Sequence, residues 1–255
     1  LSRVSESFAS SWTPRQAGGA RRGPRRSPAC HLLEGSIRPS YVPGAEVRKK
    51  AADDHPNVWN ADMIEQNLLL EEMTWPEVEK ALEGGFTSIV IAVGAIEQHG
   101  PHLPLLVDAA RGDRLAVEVA RRLGGSLVGP TIRVGCSEHH MGFAGTLSVR
   151  QQTLEAICLD YTVSLARHGF RDVYFVPSHG GNFGPLAEML GDLAAAVAPG
   201  CTVHAYTDLL GFMELWQGAV AQESPGLEGR VGGHADIAES SEMLCIRPDL
   251  VREDR

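Results

Sequence analysis

The chain has 255 residues, 43% of them hydrophobic, and a formal net charge of −9. That length is enough for one large α/β domain with its own core, and no apolar run approaches the roughly 20 residues that a membrane-spanning helix needs. The charge is uneven: residues 1–50 carry ten Lys or Arg against three Asp or Glu, and the remainder thirteen against twenty-nine, an acidic body that disfavours nucleic acid as a substrate.

Residues 1–57 contain the Arg-, Gly- and Pro-rich run Ala17 to Arg26 and show no apolar period, so a disordered basic extension is expected there. An Arg- and Ser-containing leader is also what a targeting peptide looks like. Residues 58–255 form the expected single folded domain, with order starting near Met63. Thr74-Trp75-Pro76-Glu77 is a capping box with Pro just inside the helix start, and the short helix it opens ends at Gly84-Gly85. Thr87 to Val93 is an apolar, β-branched strand. Asp113 to Leu123 has helical spacing, Leu127 to Val134 reads as a strand, and Gln151 to His168 is the clearest amphipathic helix, with Leu154, Ile157, Cys158, Tyr161 and Leu165 on one stripe. Asp172 to Pro177 and Cys201 to Tyr206 read as strands, and Phe183 to Val197 and Asp236 to Cys245 as helices. Alternating strands and helices predict an α/β fold: a mostly parallel sheet flanked by helices on both faces, with sites gathered at the carboxyl ends of the strands.

Five dispersed cysteines with no Cys-x-x-Cys pair argue against a disulfide framework or a cysteine zinc site, and a cytoplasmic setting is the default expectation.

The chemistry is densest from Gly94 to Asp108, Gly-Ala-Ile-Glu-Gln-His-Gly-Pro-His-Leu-Pro-Leu-Leu-Val-Asp. Glu97 and His99 sit at i and i+2, which on an extended chain points both to one face. The Gly and Pro residues after them suit a loop that returns Asp108 to the same point. Mixed nitrogen and oxygen ligands at the end of a strand suit a divalent metal such as Zn or Mn. No Gly-x-Ser-x-Gly elbow and no Gly-x-Gly-x-x-Gly after the first strand is present, so neither a serine nucleophile nor a dinucleotide site has support.

This stretch closely resembles the metal-binding motif of the creatininase family of metal-dependent hydrolases. The resemblance implies that Glu97, His99 and Asp108 help hold two divalent ions (Zn, Mn or Fe), with Asp108 bridging. Two further segments follow in family order over roughly residues 70–250. Ser178-His179-Gly180-Gly181-Asn182 resembles the family's Asn-Gly-His-Gly-Gly-Asn and implies His179 as a ligand. Creatininases proper carry a Glu two residues after that His, where this chain has Gly181. Gly233-His234-Ala235-Asp236-Ile237-Ala238-Glu239 resembles the family's His-Ala-Gly-x-x-Glu. It implies His234 as a catalytic proton shuttle and Glu239 as the replacement ligand with a part in catalysis, against the plainer reading of Glu239 as a helix-start charge. The segment Ser137 to Thr146 also resembles the family and implies Ser137, His139 and Thr146 as substrate contacts, with His140 and His102 as donors that orient ligands. The implied activity is hydrolysis of an amide or cyclic-amide C–N bond in a small molecule or peptide, by a homo-oligomer. The competing expectations are a family peptidase or deformylase, and a non-catalytic metal-binding protein on the same fold.

Overall fold

The computed structural model describes residues 67–255; the basic extension 1–57 and the first residues of the 58–255 domain lie outside the described residues. Among the described residues six α-helices and four strands follow in order: α1 (Trp75–Glu83), β1 (Ser88–Val93), α2 (Val107–Leu123), β2 (Ser126–Val128), α3 (Gln151–Arg167), β3 (Asp172–Pro177), α4 (Phe183–Val197), β4 (Thr202–Ala205), α5 (Leu209–Glu223) and α6 (Ile237–Ile246). The Thr74 capping box forms as read, with Glu77 accepting from the Thr74 backbone N–H at 2.6 Å and from its hydroxyl at 2.7 Å.

The four strands are parallel in the order β2-β1-β3-β4, which confirms the expected α/β fold. From β1 the chain crosses one way to β2, then back past β1 to β3 and on to β4. Right-handed crossovers in opposite directions place α2 on one face of the sheet and α3 and α4 on the other. β1 is central and buried almost throughout, with Ile89, Val90, Ile91, Ala92 and Val93 fully buried. Leu127, Leu154, Phe175, Leu186, Met189 and Leu193 close the core around it.

The reversal of strand order between β1 and β3 makes a crevice at their carboxyl ends, the place where open α/β sheets bind ligands. Two glycines let α2 lie hard against it. A Cβ on Gly94 would sit 2.9 Å from the Ala109 Cα, and one on Gly112 would sit 2.7 Å from the Ser178 Oγ and 3.0 Å from the Ala92 Cβ.

Three elements differ from expectation. α2 begins at Val107, not Asp113, so Asp108 stands in a helical first turn rather than in a loop. Val107 to Gly112 is buried on every side, so it has no polar face and shows no amphipathic period, and Gly112 reads as a breaker. The strand expected over Leu127 to Val134 stops at Val128, because Gly129-Pro130 interrupts the ladder and only the isolated bridge Val93↔Ile132 resumes it. No element is expected between Tyr206 and Asp236, yet α5 fills it, capped by Asp208, which accepts from the Gly211 N–H at 2.9 Å.

Candidate metal centre

The crevice collects carboxylates and imidazoles from four segments. Glu97 and His99 come from the loop after β1, Asp108 from the start of α2, His179 from the end of β3 and Glu239 from the first turn of α6. The β1 loop folds back on itself through the Glu97 N–H, which donates to the Leu105 carbonyl at 3.0 Å. All five side chains are buried. Glu239, at 2% exposure, is therefore not a solvated surface charge.

Their atoms fall into two trios joined by Asp108. On one side His179 Nδ1 lies 3.2 Å from Asp108 Oδ2 and 3.4 Å from Glu97 Oε1. On the other, His99 Nε2 lies 3.5 Å from Asp108 Oδ1 and 3.6 Å from Glu239 Oε2. Both Glu97 carboxylate oxygens, His99 Nε2 and Asp108 Oδ2 are buried with no hydrogen-bond partner. Buried polar atoms are normally paired, so orphaned donors clustered at ligand spacing fit divalent cations, and the nitrogen and carboxylate set suits Zn, Mn or Fe. The remaining His99 nitrogen, Nδ1, is 3.1 Å from the Glu97 carbonyl, an outer contact that fixes the ring.

The same packing shifts the titrations. Burial raises the Glu97 carboxyl. Burial would lower His99, but Asp108 and Glu239 overcome it and lift its pKa to about 10. For Asp108, burial pushes up while the neighbouring His179 and His99 imidazoles prevail, holding it well below the usual carboxylate range. The carboxylates thus favour positive charge at both trios.

The sequence assigns no role to Gln98, which organises the neighbouring imidazoles. Its Oε1 accepts from the Gly100 N–H at 2.9 Å. The amide nitrogen therefore faces His140 Nδ1 at 3.0 Å and His234 Nε2 at 2.8 Å. An amide NH2 only donates, which assigns both rings as neutral acceptors at those atoms. Each ring's other nitrogen then carries the proton, 3.6 Å from Glu97 Oε1. Burial, then His234 and the other imidazoles, lower His140 to about 4; burial, then His99, lower His234.

Gly181 is explained by crowding. A Cβ there would fall inside contact distance of the Cys136 carbonyl and His179 Nε2, and 3.1 Å from the His139 Cε1. A side chain there would require the Cys136 carbonyl or the His179 ring to shift, and the acid of the second trio, Glu239, comes from another helix. Among the expected substrate contacts, His139 lines the cavity, stacked on His179 with centroids 5.6 Å apart, and its ring lies at ligand range of Glu97 and His179. Ser137 and Thr146 are both buried and support the site from behind, Ser137 with its Oγ 3.4 Å from His179 Nε2 and Thr146 accepting from the Gln98 N–H at 3.3 Å. His102 orients no ligand directly; it pairs with the Ser240 hydroxyl at 3.0 Å, tying the β1 loop to α6.

The cavity over the trios measures about 290 Å³ and is walled on its far side by Phe212, Met213 and Trp216 of α5. Beneath Trp216 lies Arg111, buried and bonded to Glu239 and Glu242. Arg111, Glu242 and Trp216 carry no signal in the sequence, because their meeting is made by the packing of α2 against α6 and by α5.

Known proteins give independent support. A family model described as creatininase, creatinine amidohydrolase, matches residues 71–255. The mycofactocin precursor peptide peptidase of Mycobacterium ulcerans is 33% identical over 71% of this chain and 63% of its own length. The creatinine amidohydrolase of Pseudomonas putida is 30% identical over 75% of this chain and 76% of its own. This chain therefore spans less than two thirds of the peptidase's length. Among solved structures, a creatinine amidohydrolase superposes with a TM-score of 0.61 at 29% identity, covering 74% of this chain and 76% of that one. Related creatininase structures are described as a manganese form and a Zn-Zn type.

Proposed function

The chain belongs to the creatininase family, and on that premise we propose that it is a metal-dependent hydrolase of an amide or cyclic-amide C–N bond. The observation that carries this reading is the pair of trios sharing Asp108, with four buried ligand atoms otherwise unpaired. Glu97, Asp108 and His179 would hold one ion and His99, Asp108 and Glu239 the other, Zn, Mn or Fe by the chemistry of the donors. When bound, such ions supply an acidified water and an electrophile for the scissile carbonyl.

The chain's own residues do the rest. His234 is partly exposed to the cavity and presents its Nδ1 proton on the Glu97 side. The ring takes up the proton released by the consumed water and hands a proton to the leaving nitrogen as the C–N bond breaks, which returns it to its neutral form. Gln98 holds His234 and His140 together in their neutral forms, so that both offer N–H groups toward charge developing at the carbonyl. These two cavity-facing imidazoles favour catalysis over a purely metal-storing role. Among substrates, the apolar wall of Phe212, Met213 and Trp216 suits an apolar group beside the scissile amide. That observation favours a peptide, and the peptidase relative at 33% identity supports the same choice. The test is metal analysis combined with turnover on a panel of cyclic amides, formamides and short peptides ending in apolar residues. Bound metal without turnover on any member would favour the non-catalytic reading.

Glu239→Gln is expected to lose one of two ions and most turnover while the protein stays folded. Metal content and turnover equal to wild type would remove Glu239 from the site. A chain starting at Asn57 is expected to keep its melting temperature and metal content, since the composition of residues 1–57 cannot build a core; a large drop in either would show that the extension packs on the body.

We further propose a cytoplasmic homo-oligomer. Cys136, Cys158 and Cys201 form no disulfide, and no helix among the described residues is long and apolar enough to cross a membrane. Trp75, Phe143, Leu210 and Leu215 expose apolar surface that association would cover. Sedimentation at micromolar concentration should show an oligomer, and a monomer alone would refute that part.

A further inference from the structure

We propose that Arg111 is a positioning residue that makes the two cation positions unequal, weakening the one at His99, Asp108 and Glu239. This rests on the metal-centre reading above. Arg111 stands one turn after Asp108 on α2 and is buried. Its Nη1 donates to Glu239 Oε1 at 2.6 Å, lies 3.5 Å from Asp108 Oδ1 and reaches the Ser178 carbonyl at 3.5 Å. Its Nε pairs with Glu242 of α6, and Trp216 covers its face at 4.2 Å from the ring centroid.

The carboxylate oxygens it touches at the site, Glu239 Oε1 and Asp108 Oδ1, belong to the residues and the side of the second trio. Its recorded ion pairs include neither Asp108 Oδ2, nor Glu97, the oxygens that face His179. A guanidinium stays charged at any working pH, and a buried charge is little screened. Two consequences follow at the second position. Glu239 commits Oε1 to Arg111, and the Oε2 it turns toward His99 also accepts from the Ala235 N–H at 2.5 Å, so it offers one oxygen where a free carboxylate could offer two. The positive charge also repels a cation placed there. Glu242 offsets that charge only from the far edge of the guanidinium. Among the described residues the first position has no such neighbour, so it holds its ion tightly while the second exchanges.

The test uses the full chain, stripped of metal by chelator and dialysis, and titrated with Co(II) by calorimetry and visible absorption. The variant is Arg111→Met with Glu242→Gln, which removes the Arg111–Glu242 pair together, so that Glu242 is not left as a lone buried charge. Arg111→Lys is the companion that keeps the charge. Wild type is expected to bind two Co(II) ions with well-separated affinities. In the double variant the weaker site should tighten by about tenfold or more while the tighter one stays the same; Arg111→Lys should keep the wild-type gap. A weaker site that is unchanged or weakened in a folded double variant overturns the proposal. Wild type that binds no Co(II) overturns the metal-centre reading itself, and this inference with it.

Discussion

Replacing Asp108 with alanine is expected to strip both ions and to lower turnover by roughly 10⁴-fold or more, the scale seen when residues that act as one unit are broken. Asp108 is the side chain that the two trios share: Oδ2 is 3.2 Å from His179 and Oδ1 is 3.5 Å from His99. The variant should remain folded by circular dichroism, because β1 and the core around it do not depend on the carboxylate. Loss of one ion only would make Asp108 a terminal ligand of a single position. Full metal content would remove it from the centre.

The second large effect is expected at His234. His234→Ala should lower turnover by about 10²–10⁴-fold, the range for a positioned proton donor, with metal content unchanged. The ring belongs to neither Asp108 trio, and Gln98 holds it at 2.8 Å on the side away from Glu97. Its nitrogen nevertheless lies at ligand range of His99 and Glu239, so the metal readout matters. Loss of an ion in His234→Ala would move the residue from proton transfer to coordination. Turnover close to wild type would remove it from the mechanism.

What the sequence discloses and hides at this site follows from how each residue is placed. Glu97 and His99 follow an apolar strand at i and i+2, and His179 follows another, so strand-end position and local motif make them readable. Glu239 is readable as a helix-start acid, and the motif makes it a ligand candidate. Its burial comes from α6 packing on α2, which no local pattern reveals. Asp108 is visible as a residue but not as part of a helix, because its turn is buried on every side. Gln98 stands between two recognised ligands, and its role depends on His140 and His234, which are 42 and 136 residues away. Arg111 and Glu242 look like ordinary solvated helix charges until α2 and α6 bring them together beneath Trp216. Ser137 and Thr146 are readable as substrate contacts only through the family resemblance of their segment, and no local pattern reveals that they are buried beside His179 and Gln98.

The peptide-directed reading and the inequality of the two positions both depend on the centre being dinuclear. The most direct measurement is an anomalous difference map from crystals of the full chain grown with Mn(II) or Zn(II). The account predicts two peaks that share Asp108, one bounded by Glu97 and His179 and the other by His99 and Glu239, with the second peak of lower occupancy at limiting metal. A single peak, or peaks that leave Asp108 unbridged, would contradict it.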